Sequence, residues 1–188
     1  MEFFVEEGKH LHDECSTLVL PALSIGNVGQ LALDLLVSTM RAERIGYLDT
    51  PFVLPCVGND AYVPTPQGHL ALPLEAYESP SNALTLLQQR SPIVKGTIIE
   101  FAKNLADFAA ASGKKHVVLL SSLDFGRWQR IDVSRFIKAC LKAHEPDKPP
   151  VRFTYARRKR HHEPRLATET QVVAEVEGST RGEEIGSG

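Results

Sequence analysis

The feature that most constrains this chain is a double-glycine turn between two apolar segments. Gly26 and Gly29, in "SIGNVGQLALDLL", follow a strand-like run, "STLVLPALS", and precede a run with helical spacing that starts at Val28. A second strand-like run, "RIGYLD", covers residues 44–49. Strand, helix and strand in close succession predict a βαβ unit, in which two parallel strands are joined by a right-handed crossover.

The helix predicted from Val28 is apolar on most of its sides. Val28, Leu31, Leu35 and Met40 lie on or near one face, beside Ala32, Leu36 and Thr39. A helix of this kind is expected to be well buried, with Asp34 and Ser38 on its wetter side. Asn27 precedes the helix, and its side-chain oxygen is expected to cap a free N–H group of the first turn.

The remaining pattern predicts a mixed α/β sheet with flanking helices. A proline-rich loop covers residues 50–68 and is a candidate binding loop. Two strand-like runs, 69–79 and 82–91, flank a turn signal and predict a hairpin. A helix is predicted over 93–113, with an apolar stripe and Gly113 after its last turn, and a buried strand is predicted over 114–122.

Composition changes towards the C-terminus, and this change predicts three regions. The polar residues 1–15 are expected to be flexible, residues 16–143 to form one α/β domain that includes a short helix after Val133, and residues 144–188 to form a disordered tail. The tail is charged and poor in large apolar residues, so it cannot bury enough area to offset the entropy of ordering.

Charge and cysteine usage exclude several classes of function. The formal net charge is -2, so no global basic field attracts nucleic acid. One local basic run, Arg157–Arg160, leaves a nuclear nucleic-acid binder open as an alternative. The three cysteines form no CxxC pair, which favours a reduced compartment, and no apolar run is long enough for a membrane span.

The double-glycine turn has two interpretations. As a helix N-terminus after a strand it could hold an anion, and an enzyme using Ser121 and Ser122 near this turn is the alternative hypothesis. The turn lacks the full GxGxxG fingerprint, because Ser24 occupies the first glycine position. The other interpretation is structural: Gly26 supplies a positive φ and Gly29 lets the helix approach a strand closely.

Other polar clusters give weaker signals. His10, His12, Asp13 and Cys15 contain metal-ligand types, but they lie in a segment predicted to be flexible. Trp128 is flanked by arginines, which is typical of an interface or of a tryptophan at the edge of a core. We therefore expect no catalytic residue, no cofactor and no metal.

Residues 17–133 resemble the proteasome assembly chaperone 2 family. The resemblance lies in the segment Pro21, Ala22, Ser24, Gly26, Asn27, Val28, Gly29, Gln30, Leu31, Ala32, Asp34 and Leu35, followed by Ile45-Gly46-Tyr47, by Val57-Gly58-Asn59, and by "LTLLQQRSPIVKG" and "VVLLSSLDFGRWQRID". The match fades after Val133, so we expect a truncated or altered member of the family, plant-like or from another eukaryote.

The resemblance implies a non-catalytic function. It implies a phosphorylase-like sandwich, here incomplete, that pairs with proteasome assembly chaperone 1 and promotes assembly of the α ring of the 20S proteasome in cytoplasm and nucleus. It implies neither nucleic acid nor membrane as a partner. Together with the loop and interface patterns it predicts these partner-binding residues: Gly26, Asn27, Val28, Gly29, Gln30, Val57, Gly58, Asn59 and Trp128.

Overall fold

A seven-stranded mixed sheet is the framework of the protein. The computed structural model describes residues 1–22, 25–60, 62, 70–122 and 151–156. The elements are β1 (Glu2–Val5), β2 (Thr17–Pro21), α1 (Val28–Met40), β3 (Glu43–Asp49), β4 (Gly58–Asn59), β5 (Leu70–Ala71), β6 (Leu74–Ser79), β7 (Leu84–Gln89), α2 (Ile98–Ala111), β8 (His116–Ser122) and β9 (Val151–Ala156). The mixed α/β class predicted from the sequence is confirmed.

The strand order in the large sheet is β1-β3-β6-β7-β2-β8-β9. Strand β2 pairs in parallel with β7 and β8, and β8 pairs in parallel with β9. The predicted hairpin is confirmed, since β6 and β7 are antiparallel with Leu74 opposite Gln89. The expected pairing of β2 with β3 is wrong, because the hairpin lies between these two strands.

Strand β2 has buried residues on both of its faces, and each face receives one helix. Successive side chains of a strand point to opposite faces. Leu18 and Leu20 belong to the cluster that contains Phe101 of α2. Val19 belongs to the second cluster, which contains Leu33 of α1. A strand covered on both sides needs apolar residues at successive positions, which explains the buried run "LVLP" over residues 18–21.

The first fifteen residues are not the flexible segment that their polarity predicts. Residues 2–5 form β1, which pairs with β3, and the Met1 amino group donates to Asn104 Oδ1 at 2.9 Å. Cys15 is 1% exposed, and the His12 backbone N–H donates to Glu78 Oε2 at 2.9 Å. Long-range pairing therefore orders a segment whose local composition favours disorder.

Two other expectations are corrected in their boundaries. Residues 151–156 form β9 on the edge of the sheet, inside the region predicted as a disordered tail, because β8 offers them a parallel partner. Helix α2 begins at Ile98, whereas Ile93 forms an isolated bridge with Val53. Gly113 follows α2 with φ +66°, as its predicted role requires. The helix expected after Val133 lies outside the described residues.

Candidate functional site

The turn between β2 and α1 is left-handed at two consecutive residues. Gly26 has φ 73° and Asn27 has φ 52°, a region that glycine and asparagine adopt most readily. The Asn27 side chain makes no capping hydrogen bond, so the predicted side-chain cap is wrong. Asn27 instead contributes its tolerance of the left-handed conformation, which lets the chain reverse between strand and helix.

Gly29 places the first turn of α1 directly against the strands. A Cβ atom at this position would lie 2.5 Å from the Leu120 carbonyl oxygen, 3.2 Å from Pro21 Cβ and 3.3 Å from the Ala22 carbonyl oxygen. Only a residue without a side chain permits this approach. The structural interpretation of the double-glycine turn is confirmed in both of its parts, the positive φ of Gly26 and the close approach at Gly29.

Helix α1 buries a different face from the predicted one. Gly29, Leu33 and Val37 are its buried residues. Leu31 and Leu35, which were expected to be buried, are 60% and 59% exposed, and Val28 is 38% exposed. With apolar residues around most of the helix, periodicity alone did not determine which side meets the sheet. We call Val28, Leu31 and Leu35 the outer stripe of α1.

A cleft of about 540 Å³ lies beside this stripe, between the start of α1 and the end of β7. It is lined by Gly26, Asn27, Gln30, Leu31, Asp34, Gln89, Arg90, Ser91 and Pro92. Its position, at the carboxyl ends of the parallel strands β2 and β7, is the place where open α/β sheets usually bind their ligands. The cleft therefore brings three residues of the predicted partner-binding set, Gly26, Asn27 and Gln30, to one surface.

Asp34 is the polar centre of the cleft, whereas the sequence placed it on the wetter side of the helix. Its Oδ1 accepts from Tyr62 Oη at 2.5 Å, from Gln88 Nε2 at 2.6 Å and from Arg90 at 3.2 Å. The Arg90 guanidinium also lies over the Tyr62 ring, 5.4 Å from its centroid. Three different elements of the chain, α1, β7 and the loop after β4, are thus joined at one carboxylate.

Burial of this cluster changes the acidity of its members. Burial raises the pKa of the Tyr62 hydroxyl well above its ordinary value, and the hydrogen bond to Asp34 raises it further. Burial alone would lower the pKa of Arg90, but the surrounding Tyr62, Asp34 and Glu75 raise it overall. At neutral pH the tyrosine is therefore neutral and the arginine charged, so the cluster holds a fixed pattern of donors and acceptors.

The loop after β3 continues the surface beyond the cleft. The Leu54 N–H donates to the Pro92 carbonyl oxygen at 3.0 Å, which fixes the loop beside the cleft wall. Leu54 and Val57 are 45% and 67% exposed. The predicted contact residues Gly58 and Asn59 form the exposed strand β4. Trp128, the last residue of the predicted set, lies outside the described residues.

Residues 18–186 match the model of the PAC2 family. The chain belongs to the PAC2 family.

Seven curated relatives of this PAC2-family chain share the name proteasome assembly chaperone 2. It is 46% identical over 111 residues to proteasome assembly chaperone 2 of Nematostella vectensis, covering 57% of this chain and 46% of that protein. It is 42% identical over 109 residues to proteasome assembly chaperone 2 of Homo sapiens, covering 56% of this chain and 41% of the relative. The chain thus spans a little under half the length of these curated relatives.

Solved structures give more distant matches to this PAC2-family chain. Pyrococcus furiosus PbaB, described as an archaeal proteasome activator, matches with a TM-score of 0.48 at 16% identity, covering 88% of this chain and 70% of PbaB. P. furiosus PbaA, described as an archaeal homolog of proteasome-assembly chaperone, matches with a TM-score of 0.45 at 22% identity, covering 58% of this chain and 45% of PbaA.

The alternative hypothesis, an enzyme that uses Ser121 and Ser122, requires a base beside one of these serines. Ser121 lies at the end of β8 and is 3% exposed, and its Oγ makes no hydrogen bond within the described part of the chain. A serine becomes a nucleophile when a base accepts its proton. Nothing in the described ranges places such a base on Ser121, and Ser122 is described by its backbone alone.

His12, one of the candidate metal ligands, has a structural partner instead. Its Nδ1 lies 2.7 Å from Oε2 of the buried Glu78, whose other oxygen accepts from Thr85 at 2.7 Å and from Lys114 at 3.3 Å. Burial would raise the pKa of Glu78, but these hydrogen bonds and the Lys114 charge lower it overall. The described residues contain no group of three or more ligands suited to a metal ion.

Sequence analysis missed the buried charges of β6. Glu75 is 1% exposed and accepts from Arg44 at 3.0 Å, from Arg90 at 3.2 Å and from Tyr77 at 3.1 Å. A signal was present, because two carboxylates in the buried strand "LEAYES" require partners. The partners come from distant positions, so their identity was not visible along the chain.

Proposed function

We propose that this PAC2-family chain is a subunit of a chaperone that promotes assembly of the 20S proteasome, and that it acts by binding rather than by catalysis. The observation that carries the proposal is its identity of 38–46% with seven curated relatives, each of them named proteasome assembly chaperone 2. The proposal includes a heterodimer with proteasome assembly chaperone 1, contact with α subunits of the core, and a location in cytoplasm and nucleus.

The surface chemistry supports a binding function. Large aliphatic side chains are exposed on the outer stripe of α1 and on the loop after β3, at Leu54 and Val57. Contiguous exposed apolar groups with polar surroundings are typical of protein-interaction surfaces. In the cleft beside the glycine turn, Asp34 and Arg90 are already paired with each other, which favours a binding role over acid–base catalysis.

Co-expression with defined partners tests the proposal. The tagged chain is produced together with the chaperone 1 homologue of the same organism, purified, and its mass measured by light scattering. A complex of one copy of each chain, able to retain recombinant α subunits on a column, is the expected result. Recovery of the chain alone, in the presence of soluble chaperone 1, would contradict the heterodimer. Microscopy of the fluorescently tagged chain tests the proposed location in cytoplasm and nucleus.

A further inference from the structure

Helix α1 is apolar on two opposite sides. One side, with Leu33 and Val37, packs on the sheet, and Leu33 is completely buried. The other side carries the outer stripe, whose members project away from the sheet and are 38–60% exposed. A helix that is hydrophobic around most of its circumference is stable when both sides are covered. The described part of the chain covers one apolar side of α1, so the other side is open to a second molecule, here called the occupant.

The charge of α1 limits what that occupant can be. Between Val28 and Met40 the only charged residue is Asp34, and its carboxylate is already bonded to Arg90, Gln88 and Tyr62. The helix contains no lysine or arginine, which interfacial helices use on lipid surfaces and which nucleic-acid sites use on phosphates. An uncharged patch of this kind is complementary to an uncharged, apolar protein surface.

The spacing of the stripe indicates the shape of the occupant. Val28, Leu31 and Leu35 are separated by three and four residues, which is the repeat that lines up along one side of a helix and receives a second helix. Three side chains cover much less than the ~800 Å² that each partner buries in a standard interface. The contact must therefore extend over the neighbouring cleft, which is lined by Gln30 and Leu31.

We propose that the outer stripe of α1 and the adjoining cleft are the docking site for an uncharged apolar helix of the partner chain. The proposal rests on the proposed function, because it assigns the surface through which chaperone 1 is bound. Leu31, which belongs to the stripe and also lines the cleft, is the residue at which the two parts meet.

The test compares the wild-type chain with the double variant Leu31→Gln/Leu35→Gln in binding to purified chaperone 1 homologue by calorimetry. Glutamine keeps the helical propensity and length but removes the apolar character. The dissociation constant of the double variant should be at least about tenfold higher than that of the wild-type chain, because central apolar contacts are lost. The control is Ile99→Gln on α2, which alters another 47%-exposed aliphatic residue, and it should leave binding within about twofold.

Folding is checked separately. All three substituted side chains are exposed, so the melting temperatures of both variants should stay within about 2 °C of wild type. Hydroxyl-radical footprinting of the wild-type complex provides a measurement that needs no variant. Leu31 and Leu35 should be protected when chaperone 1 is bound, and Ile99 should not be.

The outcomes separate the two proposals. If the wild-type chain forms no complex with chaperone 1, the proposed function fails and this assignment fails with it. If the wild-type chain binds and the double variant binds equally well, or if Leu31 and Leu35 stay unprotected, only the assignment of the surface is overturned. Self-association of the chain that the double variant abolishes, or binding to phosphatidylcholine vesicles, would also overturn it, because the occupant would then be a second copy or a lipid surface.

Discussion

Replacing Gly29 with alanine tests whether the helix approach is as close as the structure shows. Two opposing effects must be compared. Alanine favours a helix over glycine by about 1 kcal/mol, so an unobstructed Gly29→Ala change would stabilise the protein. The new Cβ, however, would lie 2.5 Å from the Leu120 carbonyl oxygen, whereas carbon and oxygen atoms in ordinary contact are separated by about 3.3 Å or more.

The obstructing atom cannot move aside easily. The Leu120 carbonyl oxygen accepts a hydrogen bond from the Ala22 N–H at 2.7 Å, which continues the pairing of β2 with β8. Helix α1 would have to move outwards by roughly 0.8 Å, the difference between the two separations, and would lose contact with the sheet. Overpacking of this kind costs about 3 kcal/mol at the upper end of its range. After the gain in propensity, the net loss in unfolding free energy is about 2 kcal/mol.

Urea denaturation followed by circular dichroism measures the difference in unfolding free energy between Gly29→Ala and the wild-type chain. For a chain of this size a loss of 2 kcal/mol corresponds to a fall in melting temperature of roughly 4–8 °C. Gly58→Ala is the matched control, because its Cβ meets no atom within 4 Å, and its unfolding free energy should change by less than about 0.5 kcal/mol. Equal or higher stability of Gly29→Ala would refute the close approach and the scaffolding role of the turn.

Three further changes probe the buried polar groups and the glycine turn. The pKa of Glu78 is lower in the folded chain than in the unfolded chain, where it is about 4.3. Its contribution to stability is therefore present above about pH 4.3 and is lost as the pH falls through the folded pKa. Glu78→Gln should remove this dependence and flatten the acid side of a plot of unfolding free energy against pH. Lys114→Met leaves Glu78 without its buried cation and should lower the unfolding free energy by about 3–5 kcal/mol, measured in urea; a loss below 1 kcal/mol would contradict the pairing. Gly26→Ala requires a φ of 73° from a residue with a Cβ, and should cost about 1–2 kcal/mol in the same assay; an unchanged midpoint would show that the turn relaxes freely.

Local sequence pattern predicted the elements that depend on neighbouring residues. The alternation and apolar runs of β2, β7 and β8, the hairpin turn before Leu84 and the glycine after α2 all depend on short-range geometry that a few adjacent residues determine. The same is true of the two glycines, because the positive φ at Gly26 and the close backbone approach at Gly29 are each set by a single residue. The partner-binding set stays a prediction. Within it, Gly29 is buried, whereas Gly26, Asn27 and Gln30 line the cleft.

Tertiary structure decided which surfaces meet. The helix from Val28 has apolar residues on both sides, so its sequence fits two orientations, and the small size of Gly29 against Leu120 selects the one that leaves Leu31 and Leu35 outside. Strand order, the ordering of residues 1–15 and the joining of Asp34 to Tyr62 and Arg90 all bring together residues far apart in the chain. The sequence pattern indicates that an apolar side chain will be buried or that a buried charge will be paired. It does not identify the neighbouring residue, because the energy of the contact depends on distances in the folded chain.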